Sequence, residues 1–124
     1  MDTGTFTESL LKLSKDKRED LSTYYAGMFS VNSLKEPIRR KNAARAVHVF
    51  MTIVLNSRDE DWGRYSELKD IYDCRICANA IAQVCIKGIM APVSKSEFGS
   101  DLVLTEEEAG KILGRLDEYW QYLS

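Results

Sequence analysis

Apolar positions recur along this chain at the three-, four- and seven-residue spacings of amphipathic helices. Thr5-Phe6-Thr7-Glu8 places Thr and Glu three apart, the spacing of a capping box, and predicts a short helix over 5–14 through Leu10, Leu11 and Leu13. A second helix is expected from Asp16 to Ala26, capped by Asp16, with Leu21, Tyr24, Tyr25 and Met28 on one face and Gly27 as its stop. The third is expected to open near Pro37, whose fixed φ suits a first turn, and to run through Ile38, Ala44, Val47, Met51, Val54 and Leu55. Residues 56–66 are polar and charged and contain Gly63, so they read as a loop or a short helical turn. A fourth helix over Asp73 to Lys87 buries Cys77, Ile81, Val84 and Cys85 and stops at Gly88. After a loop over 91–101, Thr105-Glu106-Glu107-Glu108 forms a capping box with its acids at the favourable end of the dipole. The last helix turns Ala109, Ile112, Leu113, Leu116 and Tyr119 or Trp120 to the core, with Trp120 and Tyr122 closing it.

These elements contain an internal repeat. A helix ending in Ala26-Gly27-Met28 leads through a polar loop to a helix opening at Ile38; a helix ending in Lys87-Gly88-Ile89-Met90 leads to one opening at Leu104. From Ile38 and Leu104 onward the apolar and small residues align without gaps, and two helix–loop–helix units packed together bury both stripes. The expected architecture is all-α: one helical domain over 1–124 with four to five helices as two packed helix–loop–helix units. A short N-terminal helix (5–14) precedes a unit over 16–55, a loop over 56–66 and a unit over 68–122.

Three short motifs carry a resemblance. Leu68-Lys69-Asp70-Ile71 forms a lead, Ala80-Ile81 and Gly88-Ile89-Met90 close a helix, and Phe98, Leu104-Thr105, Glu108-Ala109 and Ile112-Leu113-Gly114-Arg115 begin the next. In these residues the chain resembles the S-layer homology (SLH) repeat, well over 68–116 and more loosely over 24–51. The resemblance implies a helix–loop–helix repeat fold. In that family the repeats anchor exported proteins to anionic cell-wall polysaccharide through the arginine after a threonine. At that place the second unit here has Glu106, and the first has Arg40 preceded by Arg39.

Composition changes this picture little. With 124 residues, 44% hydrophobic and 29% charged, the chain has an ordinary globular balance and needs no metal or disulfide to form a core. A net charge of −2 gives no overall pull toward nucleic acid or acidic membranes. No apolar run approaches the roughly 20 residues that span a bilayer, and the ends carry no signal-peptide or lipidation pattern. Together with three cysteines, an odd number, this reads as a cytoplasmic protein in a reducing compartment.

Candidate chemistry concentrates in two places. Arg39, Arg40, Lys41 and Arg45 form a basic stretch, three of whose cations fall in a first helical turn where the positive end of the dipole disfavours them, which points to an anionic partner or to paired surface charge. Trp62, Arg64 and Tyr65 are the residue types of interface hot spots, set in a polar loop. Cys74-Arg75-Ile76-Cys77 has redox or half-zinc-site spacing, yet Cys77 and Cys85 also fit a buried stripe, and the single histidine, His48, lies beside another. The expected function is therefore a small non-catalytic binding or adaptor protein. It recognises a protein partner through the basic helix start and the aromatic loop, with no cofactor and no metal. The alternatives are an SLH-like module for an anionic glycan or other polyanion, and a small enzyme or metalloprotein using Cys74, Cys77, Cys85 and His48. Uncapped outer faces of a two-unit stack also suit a homodimer.

Overall fold

The computed structural model describes the backbone of residues 1–123 and their side chains except those of Trp120, Tyr122 and Leu123. The closing role expected for Trp120 and Tyr122 thus lies outside the described residues. Five helices follow in order: α1 (Thr3–Leu13), α2 (Arg18–Met28), α3 (Arg40–Ile53), α4 (Arg75–Ile86) and α5 (Glu106–Leu123). Among the described residues there is no strand, only two isolated antiparallel bridges. The architecture is all-α. Helix α3 lies against both α2 and α4, and α1 packs on α2, α3 and α5. Phe6 and Leu10 of α1, Leu21 of α2, Val47 and Phe50 of α3, Ile81 and Val84 of α4, and Ile112 and Leu116 of α5 meet in one buried cluster. The hydroxyl of Tyr25 on α2 donates to the carbonyl of Ala46 on α3 at 2.7 Å inside it, and burial pushes that phenol's pKa up.

The two bridges explain how the helices begin. Ile38 N donates to Met1 O at 3.1 Å and Thr3 N to Glu36 O at 2.9 Å, around the pair Asp2 and Pro37. On the other side Leu104 N donates to Ile38 O and Arg40 N to Leu102 O, both at 2.8 Å, around the pair Arg39 and Val103. The segment before α3 is thus sandwiched between the segments before α1 and α5. Ile38 and Leu104, aligned with each other in the repeat expected from the sequence, are hydrogen-bonded to each other. The N-terminal segment is a third member that the two-unit reading did not include.

This ladder moves two helix starts. The first helix opens at Thr3 because Asp2 caps it, accepting from Thr5 N at 2.7 Å. Glu8, expected in a capping box with Thr5, instead pairs with Arg18 at 2.7 Å. Pro37 lies in the ladder, so α3 starts at Arg40 with the extended Arg39 as its cap. Helix α2 begins after the turn Lys15–Lys17 and runs through Gly27. It buries Leu21 and Tyr25, while Tyr24, expected on that face, is 53% exposed. The fourth helix is shorter than expected, since Cys74 is extended and caps it. Its stop holds: Gly88 adopts φ +73°, a conformation that glycine reaches without strain. Thr105 caps α5, its Oγ1 accepting from Glu108 N at 3.1 Å.

Cys77, Ile81, Val84 and Cys85 are buried together as the pattern predicts. Cys74 is not part of that stripe. It is joined to Cys77 by a disulfide across three positions, which corrects the expectation of reduced cysteines and removes one argument for a reducing compartment. No helix among the described residues is long and apolar enough to cross a membrane.

Candidate functional site

The basic start of α3 divides on inspection. Arg40 points inward, its side chain 5% exposed. Its Nε donates to Phe98 O, one terminal nitrogen to Ala91 O, the other to the carboxylate of Glu108 on α5, and the guanidinium carbon sits 4.5 Å from the centre of the Phe98 ring. A planar fork with five donors is what such a junction of two carbonyls and a carboxylate needs. Burial alone lowers its pKa, but an arginine stays charged under all ordinary conditions. Arg39 and Lys41 stay nearer the surface, and both reach Asp101: Arg39 donates to its carbonyl, and Lys41 Nζ lies 2.7 Å from its carboxylate. Lys41 thereby holds the Asp101 carboxyl below the usual range. Arg45 is half-buried, bonded to Asn42 at 3.2 Å and stacked over Phe29. The cations that oppose the α3 dipole are therefore all engaged by other parts of the same chain.

The aromatic loop is built differently. Its first part, 57–62, is tied down to α4 by polar side chains. Gln83, fully buried, exchanges two hydrogen bonds with the backbone of Glu60 at 2.8 and 3.0 Å. Lys87 donates to Ser57 Oγ and Arg58 O. Asn79 accepts from Trp62 Nε1 at 2.9 Å and donates to Asp59 at 2.8 Å, and His48 Nε2 meets the other oxygen of Asp59 at 2.7 Å. Burial raises the Asp59 pKa, yet the hydrogen bonds from His48 and Asn79 outweigh it and keep the carboxyl low. His48 is thus one member of a loop clasp, and Trp62 is half-buried against α4 and beside Tyr72 at a ring separation of 6.2 Å.

Beyond Trp62 the chain turns outward through Gly63–Glu67. Arg64 is exposed and lies over its neighbour Tyr65, 5.0 Å from the ring centre and 3.0 Å from the hydroxyl. Both line a cleft of about 440 Å³ with Glu67, Leu68, Pro92, Ser94 and Lys95. Asp70, two residues after Leu68, holds the chain beyond Lys95 instead of lining the cleft. Its carboxylate accepts from the backbone N–H groups of Phe98, Gly99 and Ser100 at 2.8, 2.8 and 2.9 Å. Those three donors, against a desolvation that acts the other way, keep its pKa below the ordinary value.

Of the sequence candidates, the structure brings Arg64 and Tyr65 together at one open cleft, places Trp62 behind them, and takes Arg40 into the interior. Sequence reasoning missed Pro92 and Lys95 as the facing wall, and Asn79, Gln83 and Lys87 as anchors. A polar Gln83 inside an otherwise apolar stripe was the available signal for the anchoring; nothing local marked Pro92 or Lys95. Cys85 is a buried free thiol whose pKa burial pushes up to about 12, so it stays protonated. Among the described residues no group of three or more His, Cys, Asp or Glu is placed to hold a metal ion. Compared with known protein families, curated proteins and solved structures, the chain matches none.

Proposed function

We propose that this chain is a binding or adaptor module that recognises an acidic segment of a partner protein at the cleft beside Arg64 and Tyr65. One observation carries the reading: Arg64 stands exposed over Tyr65 at the mouth of a cleft whose other rim ends in Lys95. A rigid aromatic with a guanidinium on its face is the arrangement that interface hot spots favour, because it presents large area and a directional charge with little ordering cost. Arg64 and Lys95 outnumber Glu67 around the cleft, which selects for carboxylates in the partner. The role is recognition, not turnover.

Binding of an anionic glycan, which the SLH resemblance implies, has less to support it. Arg40 is enclosed, Arg39 and Lys41 share Asp101, and Glu106 occupies the equivalent place before α5. The lead motif of that resemblance does acquire a clear structural role, since its Asp70 holds the loop over 98–100.

The test is affinity capture from lysate of the source cell, with wild type, Arg64→Ala/Tyr65→Ala and Arg39→Ala/Lys41→Ala run in parallel. A protein held by wild type and by the α3 variant, and lost from the cleft variant, is the expected result. Truncating a pair of hot-spot residues weakens such a complex by about 2 kcal/mol or more, roughly 30-fold in Kd. Salt-sensitive retention on purified wall polymer, abolished by Arg39→Ala/Lys41→Ala, replaces the protein reading with the glycan one.

A further inference from the structure

Cys74 and Cys77 lie outside the recognition cleft just described, and their placement separates two roles for a disulfide. A staple gains its effect by closing a long loop of the unfolded chain, and this one joins residues only three apart. The first turn of α4 also closes without it: Cys77 N donates to Cys74 O at 3.1 Å through the backbone alone. The segment leading into it is held elsewhere, by Asp70 on the loop over 98–100 and by the Tyr72 hydroxyl on Ser66 O at 2.8 Å. The backbone around this turn is thus held by bonds that do not involve the sulfurs.

The two sulfurs are also unequal. Cys77 is 1% exposed, packed in the α4 stripe, whereas Cys74 is half-buried at the cap of that helix, in a stretch of sequence whose Tyr72 (61%) and Ile76 (74%) are exposed. The helix start favours negative charge on a sulfur there, through its free N–H groups and dipole. No acid occupies the first turn, Arg75 follows the cap, and Asp73 precedes it.

We propose that Cys74–Cys77 is a redox-active disulfide that exchanges with thiols through Cys74, the less buried of the two. A thiolate of an incoming dithiol attacks Cys74 Sγ and forms a mixed disulfide, and the Cys74–Cys77 bond breaks with Cys77 leaving as a thiolate. The second thiol of the reductant then attacks its own sulfur in the mixed disulfide, releasing Cys74 as a thiolate. Both protein thiolates take up the protons that the two reductant thiols gave to water, and the reductant departs as its disulfide. Two electrons and two protons enter the chain, and the reverse sequence oxidises it again.

The experiment titrates the air-oxidised full chain with reduced and oxidised dithiothreitol in graded ratio, alkylates it with iodoacetamide, and reads modified cysteines by peptide mass beside far-UV circular dichroism. Cys74 and Cys77 should gain and lose label together and reversibly, with the helical signal unchanged and Cys85 unlabelled. In Cys77→Ser, Cys74 should react with dithiobis(nitrobenzoate) at least tenfold faster than Cys77 does in Cys74→Ser. Labelling that appears only as helix is lost, or equal reactivity of the two variants, overturns the proposal. Reoxidation of the reduced chain by oxidised glutathione and by insulin is compared in the same assay. Faster reaction per disulfide with glutathione identifies small thiols as the exchange partner, and faster reaction with insulin identifies polypeptide disulfides. No reaction with either overturns the exchange.

Discussion

Arg40 and Arg64 carry the same guanidinium and meet opposite fates. The first sits where the local rules for helices disfavour it, at the positive start of α3, and is held by Phe98, Ala91 and Glu108. The second breaks no rule, lies on a turn, and makes its hydrogen bond and ring contact with the adjacent Tyr65. A cation that offends the helix dipole suggests a ligand, yet here the compensating anion is Glu108, which enters from a helix far along the sequence. The lesson concerns how to read a broken local rule: the compensation can be tertiary and internal. The exposed arginine, unremarkable by propensity, stands with Tyr65 at the cleft shared with Pro92 and Lys95.

Stability measurements test that division directly. Arg40→Met should produce the largest loss, about 3–5 kcal/mol by urea denaturation, because it leaves a carboxylate and two carbonyls short of a partner. Arg40→Met/Glu108→Leu should recover much of that loss, since removing both charges removes the orphan. A loss under about 1 kcal/mol in the single variant would move Arg40 to the same class as Arg64.

Asp70 comes next. Asp70→Asn should cost about 2 kcal/mol at neutral pH, the scale for hydrogen bonds to a charged acceptor. The pH dependence has a definite sign. The carboxyl is held below its ordinary 3.8, so its contribution is complete above that value and is lost as pH falls through the lower folded one. Stability of wild type should therefore decline on the acid side, with Asp59 and Asp101 adding to the slope because their carboxyls are also held low. In Asp70→Asn that decline should be shallower, and an unchanged acid limb would mean the three N–H bonds do not favour the ionised form.

The smallest effect is expected at the cleft. Arg64→Ala should alter stability by no more than about 0.5 kcal/mol, as for exposed positions without structural duties. A larger loss would show that Arg64 props the turn, and the contrast with Arg40 would shrink.

Much of the fold was legible in the sequence because helices announce themselves by period. The stripes of α3 and α4, the Gly88 stop and the Thr105 cap follow from spacing and backbone chemistry alone. The ladder of helix starts was not legible. Met1–Thr3, Glu36–Arg40 and Leu102–Leu104 are too short for a strand pattern, and their pairing depends on three distant segments meeting. The same limit hid Arg40: nothing near it in sequence marks Phe98 or Glu108 as its partners. The aromatic residues of the turn were visible by type, whereas Lys95 and Pro92 come to the cleft from a loop on the far side of α4 in the sequence.

That ladder also orders events in time. The helices that follow one another from α1 to α4 pack on each other in turn, and contacts between such sequence neighbours form early and quickly. The segment before α3 must instead meet both the first residues of the chain and a stretch that follows α4, so its full set of bonds closes only once these three segments have come together. Folding of this small helical protein should run more slowly than its size and helix content suggest, with the joining of three helix beginnings as the late, cooperative step.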